Sequence, residues 1–138
     1  MKKVSSLIAV LLLSVATYAQ GVVFASRPSL SPDGSTIYFS YGGDIFTVPA
    51  SGGVALKLVT MAGNETNPKV SPDGKFLAFC SNEQGNYNVY VVPVSGGDVK
   101  QLTFHDASDM PVGWSPDSKR VYFESNRYNN ISTYSVSI

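Results

Sequence analysis

The tripeptide Ser-Pro-Asp occurs three times, as Ser31-Pro32-Asp33, Ser71-Pro72-Asp73 and Ser115-Pro116-Asp117, at spacings of 40 and 44 residues. The similarity extends well beyond the tripeptide. An apolar residue precedes each serine (Leu30, Val70, Trp114), a branched aliphatic follows six residues later (Ile37, Leu77, Val121), and Phe39, Phe79 and Phe123 follow at eight. Phe46, Tyr90 and Tyr134 continue the match, and Ser51-Gly52-Gly53 and Ser95-Gly96-Gly97 close the first two units. Residues 61–70 align without a gap on residues 105–114. A repeat of about 40–45 residues is the length of one four-stranded propeller blade. The expected fold class is therefore all-β, a β-propeller of four-stranded blades. The chain should hold about three of them, an incomplete ring, since propellers close at about 4–8 blades.

The units are expected at about 27–66, 67–110 and 111–138, the third truncated. Its Ser-Gly-Gly turn falls due at position 139, one past Ile138, so the reading is of an N-terminal piece of a longer protein. In the second unit the expected strands are 67–70, 75–81, 87–94 and 99–104. Ser71-Pro72-Asp73-Gly74 suits the first turn: proline presets φ, aspartate bonds nearby backbone, and glycine accepts positive φ. The third unit has Ser118 in place of that glycine, which points to a strained or different turn. The first unit is four residues shorter between its second and third strands, where Tyr41-Gly42-Gly43-Asp44 replaces a longer loop. Runs such as Phe76-Leu77-Ala78-Phe79 are apolar without alternation, as a sheet covered on both faces requires.

Met1-Lys2-Lys3, the apolar stretch 4–15 and Thr17-Tyr18-Ala19 read as a secretory signal over 1–19, cleaved between Ala19 and Gln20, leaving 20–138 as partial propeller. The apolar run is too short to span a bilayer, so a periplasmic or secreted location is expected, with no membrane span after cleavage. Ten Lys and Arg balance ten Asp and Glu; without Lys2 and Lys3, eight cations face ten anions. No basic run exists, which argues against nucleic acid as a partner. Cys80 is the only cysteine and can form no internal disulfide.

The one polar cluster is His105-Asp106-Ala107-Ser108-Asp109. Its members are contiguous in one loop, and no Gly-x-Ser-x-Gly turn accompanies them, so a Ser-His-Asp triad is not expected. One histidine with two aspartates is also too few for a metal site. No catalytic residue, metal or cofactor is assigned. The segment joins one blade to the next, at a rim where binding loops cluster. Glu65 aligns with Asp109, so two successive blades place a carboxylate at one rim position. Glu65, His105 and Asp109 are the candidate binding residues, as part of an acidic rim facing a basic peptide end. The alternative is that the carboxylates bond their own turns.

Leu30-Ser31-Pro32-Asp33-Gly34, Ile37-Tyr38-Phe39, Ile45-Phe46-Thr47-Val48-Pro49 and Gly52-Gly53 resemble TolB-type propeller repeats, which the tricorn protease family shares. The early start of the first unit, and Leu102-Thr103-Phe104-His105-Asp106-Ala107-Ser108-Asp109 followed by Trp114 and Ser125-Asn126-Arg127, favour secreted tricorn homologues. Only residues 20–26 separate the signal from the first repeat, whereas TolB-type proteins place a small domain there. The resemblance covers residues 27–138. It implies a propeller that gates and channels peptides toward a serine peptidase core, none of which is in this chain. It also leaves open a non-catalytic TolB-like scaffold that binds envelope proteins, or a propeller preceding an amidohydrolase or prolyl-oligopeptidase module. The partner is then a peptide substrate or an envelope protein met at the channel rim.

Overall fold

A computed structural model describes residues 25–138; the signal segment and its cleavage position lie outside the described residues. Every regular element among those residues is a strand. The first sheet orders β1 (Ser26–Leu30), β2 (Thr36–Tyr41), β3 (Asp44–Pro49) and β4 (Leu56–Val59) side by side. The second repeats the order with β5 (Glu65–Val70), β6 (Phe76–Ser81), β7 (Asn88–Pro93) and β8 (Lys100–Gln101). The third holds β9 (Asp109–Trp114), β10 (Arg120–Ser125) and β11 (Ser132–Ser137). All neighbours are antiparallel.

The repeated tripeptide is explained by one hydrogen-bond set. Each serine hydroxyl donates to the aspartate two residues on, at 2.6 Å in all three turns. The same hydroxyl accepts the amide of Thr36, Phe76 or Arg120 at 2.9–3.0 Å, which fixes the start of the second strand. The aspartate also accepts the amide of Ser35, Lys75 or Lys119. Ser118 does not change the turn. It adopts φ +60°, close to the +74° of Gly34 and +71° of Gly74, and donates its amide to Ser115 as those glycines do to Ser31 and Ser71. Its hydroxyl accepts the Asp73 amide at 3.0 Å, so the side chain that strains the backbone also ties the third blade to the second.

Gly42 and Gly43, at φ +59° and +93°, make the two-residue hairpin that shortens the first unit. The outermost strand of the second blade is shorter than its sequence suggests: only Lys100–Gln101 pair regularly. Beyond them the Thr103 hydroxyl takes the Val89 amide at 2.9 Å, a side chain replacing the ladder carbonyl, and Phe104 turns out to 77% exposure.

The blades stack face to face. Leu77, Phe79, Tyr90 and Val92 of the second pack on Tyr38, Ile45 and Val59 of the first. Ala78, Val89 and Val91 pack on Val121 and Phe123 of the third. The middle blade is thus covered on both sides, which is why β6 and β7 are buried almost without a break while β10 alternates. Each blade carries a stacked ring pair: Phe39–Phe46 at 5.9 Å, Phe79–Tyr90 and Phe123–Tyr134 at 5.7 Å.

Candidate functional site at the channel mouth

The innermost strands β1, β5 and β9 run side by side along what a closed ring would make its central channel. Their N-terminal ends share one rim with the blade-to-blade loops and the hairpins that follow β2, β6 and β10. Each inner strand is hung on the preceding blade in the same way. The Glu65 amide donates to the Gly43 carbonyl, and the Asp109 amide to the Tyr87 carbonyl, both at 2.7 Å.

Glu65 and Asp109 therefore do occupy equivalent rim positions. Their carboxylates are buried, 1% and 0% exposed. Glu65 accepts the Met61 amide at 3.0 Å and the Ser81 hydroxyl at 2.9 Å, fastening the loop before β5 to the end of β6. Burial pushes its carboxyl up; those two hydrogen bonds pull it down, and the nearby charges of Asp44 and Glu83 push it up again. Asp109 instead receives both of its bonds from Arg127, at 2.8 and 3.0 Å. The Arg127 guanidinium also lies over the Phe123 and Tyr134 rings, with centroids at 5.3 and 4.7 Å. His105 is exposed, and its Nδ1 accepts the Ala107 amide at 2.9 Å. The hairpin asparagines of the second blade hold both neighbouring loops. Asn82 accepts the Asn64 amide at 2.7 Å, and Asn86 donates to the carbonyls of His105 and Ala107 at 2.9 and 2.8 Å.

At this rim the three blades enclose an open, mainly polar pocket of about 410 Å³. Ser26, Arg27 and Tyr41 of the first blade, Glu65, Thr66 and Tyr87 of the second and Met110 of the third line it, with Asn64 of the loop between the first two. Glu65 is thus in the pocket wall, while His105 and Asp109 belong to the loop and strand end beside it. Among the described residues no three His, Cys, Asp or Glu side chains converge as metal ligands. Cys80 is buried, and desolvation pushes its thiol up to about 12, so it is no thiolate nucleophile in this setting. Sequence reasoning did not single out Arg27, Asn67 or Arg127 as members of the rim. Arg127 sits eighteen residues from Asp109 and meets it because β9 and β10 pair Asp109 with Ser125, two residues before the arginine.

Stacked antiparallel blades with their inner strands side by side define part of a β-propeller. The chain belongs to the family described as the tricorn protease N-terminal β-propeller domain, which it matches over residues 22–137. A comparison with curated proteins found no match. Among solved structures, a TolB-like protein from Agrobacterium tumefaciens is 22% identical, covering 82% of this chain and 51% of that one, with a TM-score of 0.68. TolB from Acinetobacter baumannii is 24% identical over 83% of this chain and 30% of its own, at 0.69. The tricorn protease is 15% identical over 85% of this chain and 13% of its own, at 0.63. These likenesses show the shared fold, and the chain spans about half the length of the first structure and less of the others.

Proposed function

We propose that these blades form the wall of a channel that admits extended peptides, as the N-terminal propeller segment of a periplasmic or secreted tricorn-like serine peptidase. Their part is substrate access and binding, not bond-breaking. The observation that carries this reading is the polar pocket where the inner strands of three blades of this family converge, open at the rim bearing the blade-to-blade loops. Glu65 and Asp109 hold those loops in place, and His105 offers an exposed imidazole beside the mouth. Titrating the isotope-labelled chain with an amidated penta-alanine peptide tests this. Amide shifts concentrated at Gly42, Gly43, Asn64 and His105 are expected. Shifts confined to the opposite rim, at the Ser-Pro-Asp turns, or no shifts at all, refute it. Read-through of the gene beyond codon 138 tests the parent: a serine peptidase core is expected.

A second reading is a non-catalytic scaffold binding folded envelope proteins. Three large apolar side chains at the same rim favour it: Phe104, Tyr128 and Ile131 are all mostly exposed, a pattern suited to protein docking. Under that reading Phe104→Ser and Tyr128→Ser abolish partner binding, and no free peptide binds.

A further inference from the structure

Arg27 breaks the pattern of the rim. Its backbone lies in the left-handed region, φ +53°, at the irregularity where β1 pairs with β2. Arginine is not among the residues that favour this conformation, and backbone held there is an invitation to ask what it is for. The equivalent residue of the second blade is Asn67, four residues before its serine as Arg27 is before Ser31. Asn67 adopts φ +59° at the matching irregularity of β5, and there the conformation has a structural use. Its side-chain amide donates to the Pro111 carbonyl on the inner strand of the next blade. The third blade has Pro111 itself at this position, which cannot adopt positive φ.

Arg27 makes no such clasp. It is exposed, lines the 410 Å³ pocket, and its guanidinium meets no carboxylate or other hydrogen-bond acceptor among the described residues. The two ion pairs among the described residues, Lys57–Asp44 and Arg127–Asp109, use other cations. Glu65, the one carboxylate in the same wall, accepts one hydrogen bond on each oxygen, from Met61 and Ser81, and forms no ion pair with Arg27. Among the described residues the pocket thus holds an unpaired guanidinium among hydroxyls and amides: Ser26, Ser40, Thr66, Asn64, Tyr41 and Tyr87. A planar fork of N–H donors in a partly walled site selects a carboxylate by charge and by geometry.

We infer that Arg27 anchors a carboxylate of an extended peptide at the channel mouth. This rests on the peptide-channel reading above. The carboxylate comes from a chain terminus or from an acidic side chain, and both sources have the same chemistry. The test uses fluorescein-labelled penta-alanine in three forms: free C-terminus, amidated C-terminus, and amidated with a central glutamate. Anisotropy is read against the wild-type chain and against Arg27→Asn and Arg27→Lys. Asn67 shows that asparagine is at home in this backbone geometry, so Arg27→Asn removes the charge without adding strain, and an unchanged thermal midpoint verifies folding.

One or both carboxylate peptides should bind the wild type about tenfold or more tighter than the neutral peptide, the scale of one charge-assisted hydrogen-bond pair. That preference should vanish in Arg27→Asn and be partly kept in Arg27→Lys. Preference for the free terminus alone, or for the glutamate peptide alone, identifies the source. Equal binding of all three peptides by the wild type, or a preference that survives Arg27→Asn, overturns the inference and leaves the peptide channel standing. No binding of any form overturns both.

Discussion

The stacking arrangement makes one repeat position a controlled experiment. Phe39, Phe79 and Phe123 hold the same place in three blades, yet their burial differs. Phe79 is fully buried, stacked on Tyr90 and enclosed by Tyr38, Ile45, Leu77 and Val92. Phe39 is only partly buried, because the face of the first blade that bears it has no blade against it among the described residues. Truncating an enclosed phenylalanine removes its transfer free energy and leaves a cavity that blades on both sides keep from collapsing. Phe79→Ala is expected to cost about 3–5 kcal/mol. With a urea slope of about 2 kcal/mol/M, the midpoint falls by about 2 M. Phe39→Ala keeps one wet side in both forms, so its cost should be about 1–2 kcal/mol. Urea titrations followed by tyrosine and tryptophan fluorescence give both numbers. Equal midpoint shifts, or a larger shift for Phe39→Ala, would refute the assignment of faces.

Other consequences are as direct. Gly63→Ala should destabilise by more than about 2 kcal/mol by overpacking, because the added Cβ would overlap the Glu83 backbone nitrogen and lie 2.8 Å from its Cα; a midpoint within error of wild type would show that this loop yields. The serine and backbone hydrogen bonds in the turns hold Asp33 down at about 2 and lower Asp73 and Asp117. These are depressed carboxylates, so their contribution is present above the ordinary aspartate range and lost as pH falls from about 4 toward 2. Glu65, raised by burial, acts with the opposite sign, so the comparison to make is wild type against a variant with all three turn aspartates changed to asparagine. The variant's thermal midpoint should fall less over that window, and parallel curves would refute the role. Arg127→Ala strands the buried Asp109 and should cost about 3 kcal/mol, the lower end for a broken buried pair because Arg127 keeps some contact with water. A loss below about 1 kcal/mol in chemical denaturation would refute it.

The fold was legible because its signals are local. A serine, proline and aspartate at fixed spacing dictate a turn through bonds no longer than five residues in sequence. Alternation and its absence then reveal which strands have one covered face and which have two. The rim was harder to read. Glu65 and Asp109 aligned correctly, but alignment does not say whether a carboxylate meets water or a donor. That depends on Ser81 and Arg127, which approach through strand pairing and a hairpin fold. Arg27 and Asn67 were invisible for a related reason: arginine carries no signal for left-handed backbone, and asparagine, which tolerates it, is equally common in turns and loops. The short β8 had the same cause at smaller scale, one threonine hydroxyl substituting for a carbonyl.

The two faces of a blade are also specified differently, and this bears on how the blades keep their order. The face each blade turns to its predecessor is nearly constant: Ile37, Phe39, Phe46 and Val48 in the first, Leu77, Phe79, Tyr90 and Val92 in the second, Val121, Phe123, Tyr134 and Val136 in the third. The face turned onward is not. It presents Tyr38, Ser40 and Ile45 from the first blade, Ala78, Cys80 and Val89 from the second, and Tyr122, Glu124 and Thr133 from the third. A constant receiving face would let blades stack in any order, so apolar packing alone cannot fix the sequence of blades around a ring. The discrimination falls to unshared polar bonds across each seam. Val70 donates to the Ser29 hydroxyl between the first two blades. Asn67 donates to Pro111, the Trp114 indole to Lys69, and the Asp73 amide to Ser118 between the next two. The buried Asn67–Pro111 bond would be left unsatisfied by a blade in the wrong place, at about 1–3 kcal/mol per buried group; the partly buried bonds would cost less because water reaches them, and it is this graded penalty, laid over a common apolar face, that makes the order of the repeats matter.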